Sequence, residues 1–135
     1  MKYILFLLTL ATTFCQVQGQ LSFPVLNSQM HMDSSGAKKD IYFYPSPYYQ
    51  VRAADQGHVS NIYNVDSNFT IGVQVKYKIY YQNLRKVSVK NDEDIKTGQL
   101  IGELFISKDI PQAEALIIRV IRGQKCVFDS TFFKQ

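Results

Sequence analysis

The feature that most limits what this chain can fold into is an alternation of side chains that runs unbroken over residues 69–81. Phe69, Ile71, Val73, Val75, Tyr77 and Ile79 alternate with Thr70, Gly72, Gln74, Lys76, Lys78 and Tyr80. Only an extended backbone puts every second side chain on one face, so this stretch turns one face to a core and the other away from it. The run exceeds the usual strand length of roughly 5–6 residues, which predicts two strands joined by a tight hairpin near Lys76.

The rest of the chain follows the same logic. Tyr, Phe, Val and Ile favour strands, and short runs of them are separated by turn formers. Strands are expected over residues 41–44 and 49–54, the latter with Val51 and Ala53 facing one way. Asp55-Gln56-Gly57 is a tight turn from which 58–64 returns as the next strand, and Asp66-Ser67-Asn68 is another. Further strands are expected over 85–89, 100–107, 116–121 and 125–128, the last two as a hairpin across Arg122-Gly123-Gln124. Asn91-Asp92-Glu93-Asp94 reads as an acidic, solvated turn, and Gly98 offers positive φ to the turn at 96–99. No segment sustains an apolar helical period; the nearest, around 113–122, carries Ile117-Ile118 and Val120-Ile121 and reads better as a strand. The expectation is an all-β fold with very little helix, a small antiparallel sandwich or barrel.

The amino terminus has a different character. Lys2, the apolar run from Tyr3 to Ala11, and Val17-Gln18-Gly19 have the order of a cleavable secretory signal. The apolar run is well short of the roughly 20 residues that span a bilayer. Residues 1–19 are therefore expected to be a signal peptide, 20–35 an irregular leader and 36–135 the folded domain. Cys15 offers a lipoprotein alternative, but the residue before it is Phe14 rather than a small one, and plain cleavage before Gln20 is expected. Of two cysteines only Cys126 then remains, so no internal disulfide forms and packing alone must hold the domain. Cys126 reads as buried and inert.

The formal net charge of +4, reduced by one without Lys2, is not clustered and excludes a nucleic-acid interface. No G-x-S-x-G elbow and no phosphate-binding G-x-x-x-x-G-K-S/T loop occurs. Asp92, Glu93 and Asp94 are adjacent in a turn and do not flank a substrate as paired acids must, nor do they have calcium-loop spacing. His31 with Asp33 reads as an exposed polar turn and His58 as a surface histidine.

Four blocks, in order, resemble the lysostaphin-type (LytM-like) zinc metallopeptidases, which cut peptide crosslinks of bacterial cell walls. Val51-Arg52-Ala53-Ala54-Asp55-Gln56-Gly57-His58-Val59 is similar to the family's V-x-A-x-x-x-G-x-V. Tyr81-Gln82-Asn83-Leu84 sits where the family has Y-x-H-L. Ile95-Lys96-Thr97-Gly98-Gln99-Leu100-Ile101-Gly102 resembles V-x-x-G-x-x-I-G. Leu116-Ile117-Ile118-Arg119-Val120 sits where the family has L-H-F-E-I. The resemblance covers roughly residues 36–133 and implies the LytM-type fold, a small antiparallel barrel-sandwich hybrid.

The resemblance also implies a site, and here the chain departs from it. Active relatives hold zinc with an H-x-x-x-D motif and the second histidine of H-x-H, while the first histidine of H-x-H and that of Y-x-H-L serve the water and the developing oxyanion. The matching positions are Gly36 and Asp40, then Asn83, then Ile117 and Arg119. Three protein ligands are needed to hold a catalytic zinc, and the chain has two histidines, His31 and His58, neither at a ligand position. The expectation is a pseudo-peptidase with no cofactor and no bound metal, an active metallopeptidase being the reading the missing imidazoles oppose. Asp40, Tyr81, Asn83, Ile117 and Arg119 would line the old groove, with Arg119 free to meet a carboxylate of a stem peptide or a partner. Tyrosines at 42, 44, 48 and 49, and at 77, 80 and 81, suit glycan or peptide contact as well as core packing. The expected partners are peptidoglycan or its stem peptide, a cell-wall hydrolase or another envelope protein. The alternative is a structural subunit of an envelope or secretion assembly, with no ligand in the groove. The place is a bacterial periplasm or outer envelope, where Asn68-Phe69-Thr70 is a chance match to a glycosylation sequon.

Overall fold

The structure is a computed structural model, and it describes residues 21–26, 28–33, 40–44, 49–74, 77–105, 114–121 and 133–134. The expected signal peptide, Cys15, Gly36, Cys126 and the expected strand at 125–128 lie outside the described residues. Among those described there is no helix, and none therefore long and apolar enough to cross a membrane.

The alternating run resolves as predicted into β6 (Asn68–Gln74) and β7 (Lys78–Val87), paired antiparallel. Ile71, Val73, Tyr77 and Ile79 are buried, while Gln74 is exposed and Lys78 and Tyr80 are partly so. β5 (Gly57–Val65) joins β6 through a two-residue turn at Asp66 and Ser67, with φ of 51° and 66°. Two consecutive positive φ values match the right-handed twist of the flanking strands, and Asp tolerates that region.

The remaining strands complete an antiparallel sheet in the order β2-β3-β10-β7-β6-β5-β8, with β2 Gln29–Asp33, β3 Asp40–Tyr44, β10 Leu116–Ile121 and β8 Asp94–Ile95. β4 (Gln50–Arg52) pairs β9 (Leu100–Leu104), and β9 in turn pairs the far end of β7. One edge of β7 is thus shared in series. Residues 78–82 take β10 and residues 84–87 take β9. Between them stands Asn83, at φ 74° and next to a register shift. Asparagine accepts this left-handed conformation more readily than most residues, and the bend lets β9 and β4 lie over the core face of the main sheet. Val51, Ile101 and Leu104 from this layer meet Ile71, Ile79, Tyr81 and Ile118 from the sheet, all fully buried.

Two glycines in the 95–102 block have separate physical reasons. Gly98 stands at φ 84° in its turn, where its N–H donates to Ala53 O at 2.8 Å. Gly102 lies between Val51 and Val87, with no room for a Cβ against the Lys86 carbonyl.

Three expectations are corrected. The described residues within 20–35 are not an irregular leader. They contain β1 (Leu21–Ser22), paired parallel with β11 (Phe133–Lys134), as well as β2. Leu21 and Val25 are fully buried, and Phe23 packs edge-on to Phe43 at 5.4 Å. The abundance of turn formers hid this, because the apolar residues there are few, though Leu21, Phe23, Val25 and Met30 all join or pack against the core. The turn at 55–57 does not form a hairpin: β4 pairs β9, and β5 pairs β6 and β8. Finally, 85–89 is not a separate strand, since β7 runs through Asn83 to Val87.

Candidate functional site

The sheet face turned away from the core carries the residues of interest. Strand register places them in rows across the strands. One row runs from Asp40 on β3 to Arg119 on β10, Tyr80 on β7, Gly72 on β6 and Asn61 on β5. The next holds His31, Tyr42, Ile117 and Gln82. A third holds Ile121, Lys78, Gln74 and His58.

Three of the five expected groove residues, Asp40, Ile117 and Arg119, lie together on this face. Asp40 and Arg119 are direct cross-strand partners, and their side chains form a two-pronged pair. Arg119 donates from Nε to Asp40 Oδ1 at 2.8 Å and from Nη2 to Oδ2 at 3.0 Å. The fork of the guanidinium matches both carboxylate oxygens at once, which gives charge-assisted bonds of fixed geometry. The hydrogen bonds it donates to Asp40 hold Arg119 protonated even more firmly than usual, against a smaller opposing effect of burial. Arg119 is therefore not free to meet a carboxylate of a partner, as expected from sequence, because its own chain supplies one.

Tyr81 is a correction of another kind. It lies on the opposite side of the sheet, fully buried, and its hydroxyl accepts a hydrogen bond from the Ala54 N–H at 2.9 Å. Burial pushes its pKa up, partly offset by that hydrogen bond. It is a core residue that anchors the chain after β4, not a groove residue. Asn83 stands at the bend of β7, its amide committed on both sides. Its Nδ2 donates to Ala115 O at 2.7 Å, and its Oδ1 accepts from Asn68 Nδ2 at 2.9 Å. It ties the entry of β10 to the turn of the β5–β6 hairpin.

The residues at the positions of the implied site do not fit zinc or its catalytic partners. Both oxygens of Asp40 face a guanidinium, whose charge repels a second cation. Ile117 has no donor atom, and the Asn83 carbonyl already accepts a hydrogen bond. Among the described residues no three of His, Cys, Asp and Glu gather as metal ligands.

Sequence reasoning passed over Gln82, and it weighed Tyr42 and Tyr80 only as members of tyrosine clusters. Tyr42 stacks on Tyr44 at 6.3 Å, and Lys78 Nζ lies over the Tyr80 ring at 5.3 Å. Gln82 Nε2 is buried without a hydrogen-bond partner. The period-two pattern carried this information, since residues 80 and 82 must face opposite to Ile79 and Tyr81.

At the far end of the face, His58 sits between two carboxylates, Nδ1 at 2.8 Å from Asp94 and Nε2 at 3.4 Å from Asp92. A neutral imidazole has one N–H and one lone pair, so both contacts are favourable only in the imidazolium. The hydrogen bonds to Asp94 and then Asp92 raise the His58 pKa above its ordinary value of 6.5. The stabilisation is full below the unfolded-state pKa of about 6.5 and is lost as pH rises through the higher folded-state value. Urea midpoints followed from about pH 5 to about pH 9 are expected to fall across that window in the native chain, and His58→Gln to flatten the fall.

No protein-family model matches the chain, and no curated protein matches it. Solved structures do. A chain of the SpoIIQ–SpoIIIAH pore-forming complex is similar over 78% of this chain and 84% of its own length, with 16% identity and a TM-score of 0.55. An M23 peptidase from Pseudomonas aeruginosa matches over 89% of this chain, with 17% identity and a TM-score of 0.57. Lysostaphin matches over 77%, with 20% identity and a TM-score of 0.52. The chain spans 56% of the length of that peptidase and 46% of lysostaphin. At these identities the likeness is one of fold, and it agrees with the resemblance carried by the four sequence blocks. The all-β architecture described above is the lysostaphin-type fold.

Proposed function

We propose that the chain is an exported, catalytically inactive lysostaphin-type domain that binds a wall component or an envelope partner through the outer face of its sheet. The observation that carries the proposal is the Asp40–Arg119 pair. Where the resemblance implies a carboxylate on a metal, this chain has that carboxylate on a guanidinium. The pair supplies the positive charge that Asp40 needs and occupies both carboxylate oxygens that a metal would take. The fold survives the change because its core lies on the other side of the sheet.

A second reading is favoured by one finding. The similar chain of the SpoIIQ–SpoIIIAH complex belongs to a pore-forming assembly and is matched over 84% of its length. On that reading this chain is a structural subunit of an envelope assembly.

The test has two arms. Purified protein incubated with excess zinc and desalted is expected to retain none in stoichiometric amount, and to release no fragments from wall peptides. Stoichiometric zinc or cleavage would overturn inactivity. Ile117→Arg places a new charge in the middle of the face without touching the core. It is expected to abolish retention on isolated cell-wall material or envelope extract while the circular dichroism spectrum is unchanged. Undiminished retention would move binding away from this face.

A further inference from the structure

One edge of the main sheet is sealed over only part of its length. β6 lies along one side of β5, and the 92–95 segment meets the other side over the first residues only. Gly57 and His58 pair with Ile95 and Asp94. Val59 donates its N–H to Glu93 O at 2.8 Å and accepts from the Asp92 N–H at 2.9 Å. Beyond Val59, no described strand lies on that side of β5. The pairing with β6 decides which backbone groups are left there. A two-residue turn is closed by a hydrogen-bonded pair, here Val65 and Asn68, and such pairs alternate along the ladder. Tyr63 therefore bonds Thr70, whereas Ile62 and Asn64 turn their N–H and C=O groups away from β6. The register shift between Val59 and Asn61 takes Ser60 out of the ladder, so Asn61–Val65 is the open stretch. Tyr63 and Val65 stand on the outer face of the sheet there, 49% and 68% exposed.

An edge with unpaired backbone groups is a template for another strand, and edges that stay single carry a lysine, a proline or an inward charge. Asn61–Val65 carries none of these. We propose that two copies of the chain join through this edge, Asn61–Val65 of each running antiparallel about a two-fold axis beside Tyr63. The outward groups fix the register. Ile62 of each copy faces Asn64 of the other as a hydrogen-bonded pair, and every outward N–H and C=O is then used. Tyr63 stands opposite its own counterpart at a non-hydrogen-bonded position, where side chains come closest and aromatic pairs stabilise a sheet. Its ring is already held, because its hydroxyl accepts a hydrogen bond from Asn61 Nδ2 at 2.7 Å. Val65 comes opposite Asn61, so no charge faces a like charge within the ladder. Asp66 comes against Ser60, and beyond it the 92–93 segment already occupies Val59, so the shared ladder cannot lengthen. This stretch is complementary to itself, the condition for an isologous two-fold contact, and that favours a second copy over an unrelated strand. So short a ladder buries less than the roughly 1,200 Å² of a stable interface, which makes the association weak and concentration-dependent. The contact uses the edge of the sheet and not its face, and it stands apart from the binding proposed for that face.

The experiment is sedimentation equilibrium of the full chain from about 5 µM to about 1 mM, the range in which a weak interface titrates. The apparent mass is expected to rise from one chain to two and to stop there. Tyr63→Lys sets two like charges across the axis and is expected to weaken dimerisation roughly tenfold or more, as is Tyr63→Glu. Both variants are expected to keep the native circular dichroism spectrum, because the side chain is exposed. An equimolar mixture of the two is expected to associate within roughly threefold of the native chain, since opposite charges then meet at the axis. Tyr44→Lys, at a side chain 48% exposed on β3, is expected to change nothing. A single-chain mass at every concentration, growth past two chains, or indifference to Tyr63→Lys overturns the proposal. So does a mixture that associates no better than either variant alone, because position 63 would then not face itself. A monomer that retains envelope proteins only while Tyr63 is intact overturns self-pairing and gives the edge to a strand of another protein.

Discussion

Tyr81→Ala is expected to lower the unfolding free energy by about 3–5 kcal/mol, the range for emptying a buried aromatic site. The ring is fully buried between the main sheet and the β4–β9 layer. Its loss also orphans the Ala54 N–H that the hydroxyl serves at 2.9 Å. Tyr81→Phe separates the two contributions. It keeps the ring and removes the acceptor, and should cost about 1–3 kcal/mol, as expected for a buried donor left unpaired. Urea unfolding followed by far-ultraviolet circular dichroism checks both. A fall below about 1 kcal/mol for the alanine variant would return Tyr81 to the groove floor, since exposed positions change stability by less than that.

Breaking the Asp40–Arg119 pair is the second large effect. Removing one partner of a fully buried ion pair costs about 3–5 kcal/mol, and losing an exposed pair about 0.2–1 kcal/mol. The Arg119 and Asp40 side chains are 28% and 19% exposed, so solvent screens part of the interaction and Arg119→Met should cost about 1–3 kcal/mol. Most of that cost is the carboxylate left without its cation, so the double variant Asp40→Leu with Arg119→Met should recover most of it. A double-mutant cycle reads the coupling. Coupling indistinguishable from zero would mean that the pair is held by the strands and not the strands by the pair.

The fold was legible in the sequence to the extent that local pattern determines it. Residues 69–81 announced their two faces, and Asp66 and Gly98 stand at positive φ where turn chemistry placed them. What pattern does not specify is which strand lies beside which. The pairing of β4 with β9 rather than β5 brings together residues about fifty positions apart, and nothing near Asp55 reports it. The site was half legible. Family motifs found Asp40 and Arg119, yet motif position cannot say that the two side chains bond each other. For Tyr81 two arguments conflicted. Alternation with Ile79 placed it in the core, motif position placed it in the groove, and alternation was right because the pleat leaves no choice. Asn83 shows the reverse case. Motif position marked it, and only its φ of 74° and its bonds to Ala115 and Asn68 reveal it as the bend of β7.

The position of β10 bears on how the chain assembles as it is made. Among the described residues β10 is the sole link between β3 and β7, and its partner Asp40 lies 79 residues earlier than Arg119. A nascent chain that has not reached Leu116 already holds every strand of the β5–β6–β7 meander, and the β4–β9 pair beside it. The β2–β3 pair has nothing to join. The sheet therefore closes only when β10, which follows both β3 and β7 in the chain, takes its place between them. Until β10 is in place, the β2–β3 pair and the β5–β6–β7 meander are two separate pieces of one sheet.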